Sequence, residues 1–263
     1  MSWRVVAERD GRDPFRSMSA LLIYGGFALV FGLSGYLQSG AGSGLTGALL
    51  TTGFAVVPLA SFGLAYAVVA GKRDRGSLRV VLSYPHTRRE VVLGSAIGRA
   101  AVAASAVTVG YVTAAAVFVA ASGAGVALVP LVETWLLTCL FAVAITGVGV
   151  GLSAAVRTTN QSIAACVGAY ILFLIAWAQL PALVRFVVHG FHYPAGPPPT
   201  WARVFVYCNP ATAFRTATRA VTPGAPPLAG PVYAGAAFAV LVLVAWALAV
   251  PLLGSYRFER TDL

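Results

Sequence analysis

A chain of 263 residues that is 59% hydrophobic, only 10% charged and has a mean hydropathy of +0.83 is not a soluble globular domain, since such domains carry about 25% charged residues. The same apolar content excludes disorder, and three cysteines, with Cys139 and Cys166 inside apolar runs, exclude a disulfide scaffold. The net charge of +10 is read as a label of membrane topology rather than of nucleic-acid binding, because Lys and Arg accumulate on cytoplasmic loops.

The composition implies an all-α polytopic protein embedded in lipid. Residues 1 to 16 form a charged, amphipathic cytoplasmic segment, and the apolar run after them has no small-residue cleavage site followed by a soluble domain. That run is therefore read as a retained span. Six spans are predicted, over residues 17 to 38, 48 to 70, 95 to 121, 130 to 153, 161 to 184 and 230 to 253. Each is long enough to cross a hydrocarbon core of about 30 Å. Residues 17 to 253 thus make one transmembrane domain, and residues 254 to 263 a cytoplasmic tail.

Basic residues assign the sides. With the amino terminus inside, fourteen of the eighteen fall on the cytoplasmic side, and only Arg185, Arg203, Arg215 and Arg219 remain outside, all in one long connection. Long connections weigh little on orientation, so both termini are predicted to be cytoplasmic. The chain has the pattern of a multi-pass protein of the plasma membrane.

Two segments are more than span or turn. In the cytoplasmic segment 71 to 94, Pro85 disfavours helix at Tyr84 and predicts a bend. Thr87 and Glu90 have the spacing of a capping box that starts the next helix. Lys72, Arg73, Arg75, Arg79, Arg88, Arg89 and Arg99 make this surface strongly basic. It reads either as a positively charged loop near anionic headgroups or as a docking site for a cytoplasmic partner.

The second segment is the outer connection, residues 185 to 229. Trp201, Val204, Phe205 and Cys208 share one face of a short helix. Asn209 is a helix cap with Pro210 in the first helical position. The helix that follows has Ala211, Phe214, Thr218 and Val221 on one side and Arg215 and Arg219 on the other. Two short amphipathic helices at the outer interface are expected, with their apolar sides toward lipid or the bundle, as a lid or an outer gate formed by Asn209, Pro210, Phe214 and Arg215.

Catalytic chemistry is scarce. The sole lysine, Lys72, is followed by Arg73, so there is no phosphate-cradling loop, and the chain is not expected to hydrolyse ATP itself. Glu133 is the one carboxylate within a predicted span, near its outer end, where it is solvated rather than relaying protons. Ser153 lacks a base, because His86, His189 and His192 all lie in predicted loops. His189 and His192 alone are too few ligands for a metal, and neither a metal nor a cofactor is expected. Gly147, Gly149 and Gly151 sit within a span and suit close helix packing rather than a nucleotide loop.

The stretch from Lys72 to Gly94 resembles the cytoplasmic motif of ABC-2 type permeases. That pattern runs approximately Glu-Arg-Glu-x-Gly-Thr-Leu and then Leu-Ser-x-Pro-x-Ser/Thr-Arg-x-Glu/Asp. Arg73, Asp74, Gly76, Ser77, Leu78, Leu82, Ser83, Pro85, Thr87, Arg88 and Glu90 fit it, Arg89 lies within it, and Lys72 stands where an acidic residue is usual. The charged stretch Ala7 to Ser17 is similar to the family's amino-terminal helix. Tyr207-Cys-Asn-Pro-Ala-Thr-Ala-Phe-Arg215 looks like a stretch of the branch associated with maturation of multicopper enzymes such as nitrous oxide reductase.

The resemblance implies an export permease, acting as a homodimer or beside a second permease, with a separate ATPase docked on segment 71 to 94. A maturation system moving a sulfur- or copper-related species, and a non-transporting membrane anchor that recruits an ATPase, are the alternatives.

Overall fold

Long runs without charge fold as helices because, away from water, every backbone N–H and C=O must be satisfied within the segment. The computed structural model describes residues 7–8, 18–41, 44–76, 87–192, 195–226, 228 and 230–260. Helix α1 is Met18–Ala41, α2 Leu45–Ala65, α3 the short Ala70–Asp74, α4 Arg88–Ser122 and α5 Leu128–Ala155. The fifth span opens with α6, Thr159–Ile171, and closes with α7, Leu180–Val188. Two short helices follow, α8 (Thr200–Tyr207) and α9 (Pro210–Val221), before α10, Ala236–Glu259. Six helical stretches are long and apolar enough to cross a membrane.

Helix α4 has 35 residues, about 52 Å at 1.5 Å per residue. That is longer than a hydrocarbon core of about 30 Å requires. It stops at Gly123, which takes the left-handed conformation at φ 66°, where glycine carries no Cβ penalty.

The fourth span, α5, is the most buried of the six and the fifth the least. Along α5, a Cβ on Gly151 would meet the backbone of Val250, one on Gly147 the backbone of Ala247, and one on Gly149 the side chain of Ala65. Two of these glycines therefore bring α10 against α5, and the third brings α2. Gly254 of α10 faces Gly151 in return. Aromatic contacts join α1 to α4, where Phe31 lies 5.6 Å from Tyr111.

Two spans differ from the sequence expectation. The fifth is not one regular helix: a π turn, Leu172–Ala176, and a 3-10 turn, Trp177–Gln179, separate α6 from α7. Pro181 opens α7 and lacks the N–H that would continue the ladder from above. The sixth begins at Ala236 rather than 230, because Pro231 and a 3-10 turn, Val232–Ala234, occupy the preceding residues, and it runs on to Glu259.

Candidate functional site

One end of the bundle gathers α3, the starts of α4 and α6, and the ends of α5 and α10. The turn that leads into α3 is held from outside: Ser153 Oγ of α5 donates to Tyr66 O at 2.7 Å and accepts from the N–H groups of Val69 and Ala70 at 3.2 and 3.1 Å. Ser162 Oγ of α6 donates to the same Tyr66 carbonyl at 2.6 Å. Ser153 is fully buried, and these bonds give it a structural task in place of a nucleophilic one.

Asp74, the last residue of α3, accepts the Thr159 N–H at 2.8 Å through Oδ2. Thr159 is the first residue of α6, and the cap Thr158 with Gln161 completes a capping box there. The orphan N–H groups of that helix start are thus met partly from α3, and a carboxylate is favoured there by the helix dipole. Gly76, at φ 68°, takes the left-handed turn just after α3.

Arg73 Nη1 donates to Val156 O, just past α5, at 2.7 Å. Its guanidinium lies 5.0 Å from the ring centre of Phe258, and that of Arg88 lies 5.6 Å from the same ring. Phe258 is fully buried. Arg88 Nη1 also donates to the carbonyls of Phe258 and Glu259 at 3.1 and 3.4 Å, placing a cation on the negative end of α10. Nε and Nη2 of Arg73 are buried without a hydrogen-bond partner among the described residues.

Helix α4 starts with a full capping box. Glu90 N–H donates to Thr87 Oγ1 at 3.2 Å, and Thr87 N–H donates to Glu90 Oε2 at 2.9 Å. Arg89 is exposed beside it. The structure therefore brings Arg73, Asp74, Gly76, Thr87, Arg88, Arg89 and Glu90 to one end of the bundle. Ser77 and Pro85 lie outside the described residues, as do the bend at Tyr84 and nearly all of segment 1 to 16. Sequence reasoning missed Phe258 and Thr158; the Thr-x-x-Gln spacing from Thr158 to Gln161 was the available signal for the second.

The opposite end carries α8 and α9. Asn209 is buried; its Oδ1 accepts from the N–H groups of Ala211 and Thr212 at 2.6 and 3.3 Å, and its Nδ2 donates to Phe173 O in the π turn at 2.8 Å. Pro210 follows as the first helical residue. Two indoles meet carbonyls at the end of α8: Trp177 Nε1 donates to Phe205 O and Trp246 Nε1 to Cys208 O, each at 2.8 Å. Phe214 stacks on Phe141 with ring centres 4.4 Å apart, so α9 is seated in the bundle with Arg215 and Arg219 left exposed.

Between α2 and α9 lies a cleft of about 680 Å³ lined by Leu50, Thr51, Phe54, Thr216, Arg215 and Arg219, among others. Elsewhere, Glu133 is exposed. His189 and His192 each place Nδ1 2.8 Å from a nearby backbone carbonyl. Among the described residues no three His, Cys, Asp or Glu side chains gather as metal ligands would.

Compared with known families, residues 6–263 match the model of the ABC-2 family transporter protein. No curated protein matches the chain.

Proposed function

The chain belongs to the ABC-2 transporter family, a family of multi-pass membrane permeases, and from that membership we propose that it is the permease subunit of an ATP-driven exporter. The end bearing Arg73, Thr87 and Arg88 faces the cytoplasm, both termini lie on that side, and a separate ATPase docks there. The chain supplies half of the pathway, and a second copy or another permease supplies the rest.

One observation carries this reading: the capped start of α4 is continuous with a membrane span and is tied by Arg88 to the end of α10. Force applied at Thr87 to Glu90 reaches the sixth span through that hydrogen bond and the third span through an unbroken helix. Motion of a docked partner is transmitted only through such rigid contacts. Arg89, exposed on the same turn, offers a charge to the partner.

At the other end, α9 serves as an outer gate hinged at Asn209. The similarity of Asn209 to Arg215 to the maturation branch supports a sulfur- or copper-related cargo as the narrower form of the same function. The test is co-purification of the chain with the ATPase, followed by ATP hydrolysis in reconstituted vesicles. An ATPase that binds but moves no solute would assign the chain as an anchor.

A further inference from the structure

We propose that the cleft between α2 and α9 binds an anionic amphiphile, its acidic headgroup held by Arg215 and Arg219 and its apolar part laid along Leu50, Phe54 and Val206. Arg215 and Arg219 are one helical turn apart on α9, so their side chains leave the same face. Both are exposed and both line the cleft, which holds no Asp, Glu or His among the described residues. Arg215 has its guanidinium carbon 5.4 Å from the centre of the Phe54 ring, so that an apolar face of the cleft and its cationic end meet there.

Thr51, Thr218 and Thr222 donate their hydroxyl protons to carbonyls of their own helices. Thr212 and Thr216 line the cleft beside the arginines on the same helix. Two guanidiniums match a group with several negative oxygens, such as a phosphate, which arginine forks bind in paired hydrogen bonds.

The remaining wall decides between a free anion and a headgroup. Leu50, Phe54 and Val206 are apolar, and the cleft volume of about 680 Å³ exceeds the needs of a bare phosphate. Water against that wall is released when an acyl or other apolar group covers it. Binding here does not depend on ATP or on the docked partner, so its failure is separable from failure of the exporter assignment.

The test is native mass spectrometry of the full chain in detergent, titrated with phosphatidylglycerol or phosphatidylcholine. Phosphatidylglycerol adducts are expected on the unaltered chain, and the double variant Arg215→Gln/Arg219→Gln should weaken them about tenfold or more, as expected for loss of charge-assisted contacts. Arg215→Lys/Arg219→Lys, which keeps the charge, should retain most of the binding, and Arg203→Gln, outside the cleft, should change nothing. Equal binding of phosphatidylcholine, full retention by the glutamine pair, or equal weakening by Arg203→Gln would overturn the proposal. Displacement of the lipid by millimolar inorganic phosphate would overturn the amphiphile and assign the site to the free anion.

Discussion

The side-chain amide of Asn209 joins two pieces of chain 36 residues apart: Nδ2 donates to the carbonyl of Phe173 at 2.8 Å while Oδ1 caps α9. The carbonyl belongs to the π turn of the fifth span, where the regular ladder is disturbed. A single buried side chain thus fixes both the start of α9 and its position against the span.

Asn209→Ser keeps an acceptor for the cap and loses the amide donor, whereas Asn209→Ala loses both. Leaving a buried carbonyl unpaired costs about 1 to 3 kcal/mol, and loss of the cap about 1 more. Thermal unfolding in detergent should rank the native chain first, the serine variant second and the alanine variant last. Equal melting of the two variants would contradict the cap assignment.

Ser153→Ala should destabilise the chain by about 2 to 3 kcal/mol, because the N–H groups of Val69 and Ala70 lose their buried acceptor. Amide exchange at those two positions should quicken. The Tyr66 carbonyl keeps the hydroxyl of Ser162, so its loss is partial.

Phe258→Leu preserves burial at the end of α10 but removes the ring from Arg73 and Arg88, at a cost of about 0.5 to 2 kcal/mol. Phe258→Ala also opens a cavity and should cost about 3 to 5 kcal/mol. Both variants should lower ATP hydrolysis by the reconstituted complex, as the sixth span loosens from the start of α4. Leucine-like activity in the alanine variant would show that packing at Phe258 does not transmit motion.

Gly151→Ala forces a methyl group onto the backbone of Val250 and should cost about 1 to 3 kcal/mol. Gly25→Ala meets nothing within 4 Å and should be neutral or stabilising by up to about 1 kcal/mol. Chemical unfolding of the two variants side by side separates a packing glycine from a merely tolerated one.

How much of this was legible before folding depended on whether the signal was local. Apolar runs revealed six spans because crossing length is a property of composition. The boxes at Thr87 and the cap at Asn209 were legible because capping is completed within four residues. The break at Leu172–Ala176 was not, since Leu, Phe, Ile and Ala read alike in a regular or a π turn, and Pro181 was the one hint. The start of α10 was displaced because residues 230 to 235 are as apolar as a span while Pro231 keeps them from joining it. The meeting of Arg73, Arg88 and Phe258 was hidden for another reason: Arg88 and Phe258 are 170 residues apart. No periodicity links positions so distant.

The proposed ATPase grips the start of α4. The most direct measurement of that contact is the amount of ATPase that co-purifies with Arg89→Glu, a reversal of an exposed charge that leaves the capping box in place. Near-complete loss of the ATPase with an unchanged melting temperature is expected, and full retention by Arg203→Glu at the opposite end. ATPase retained equally by both variants would contradict the contact.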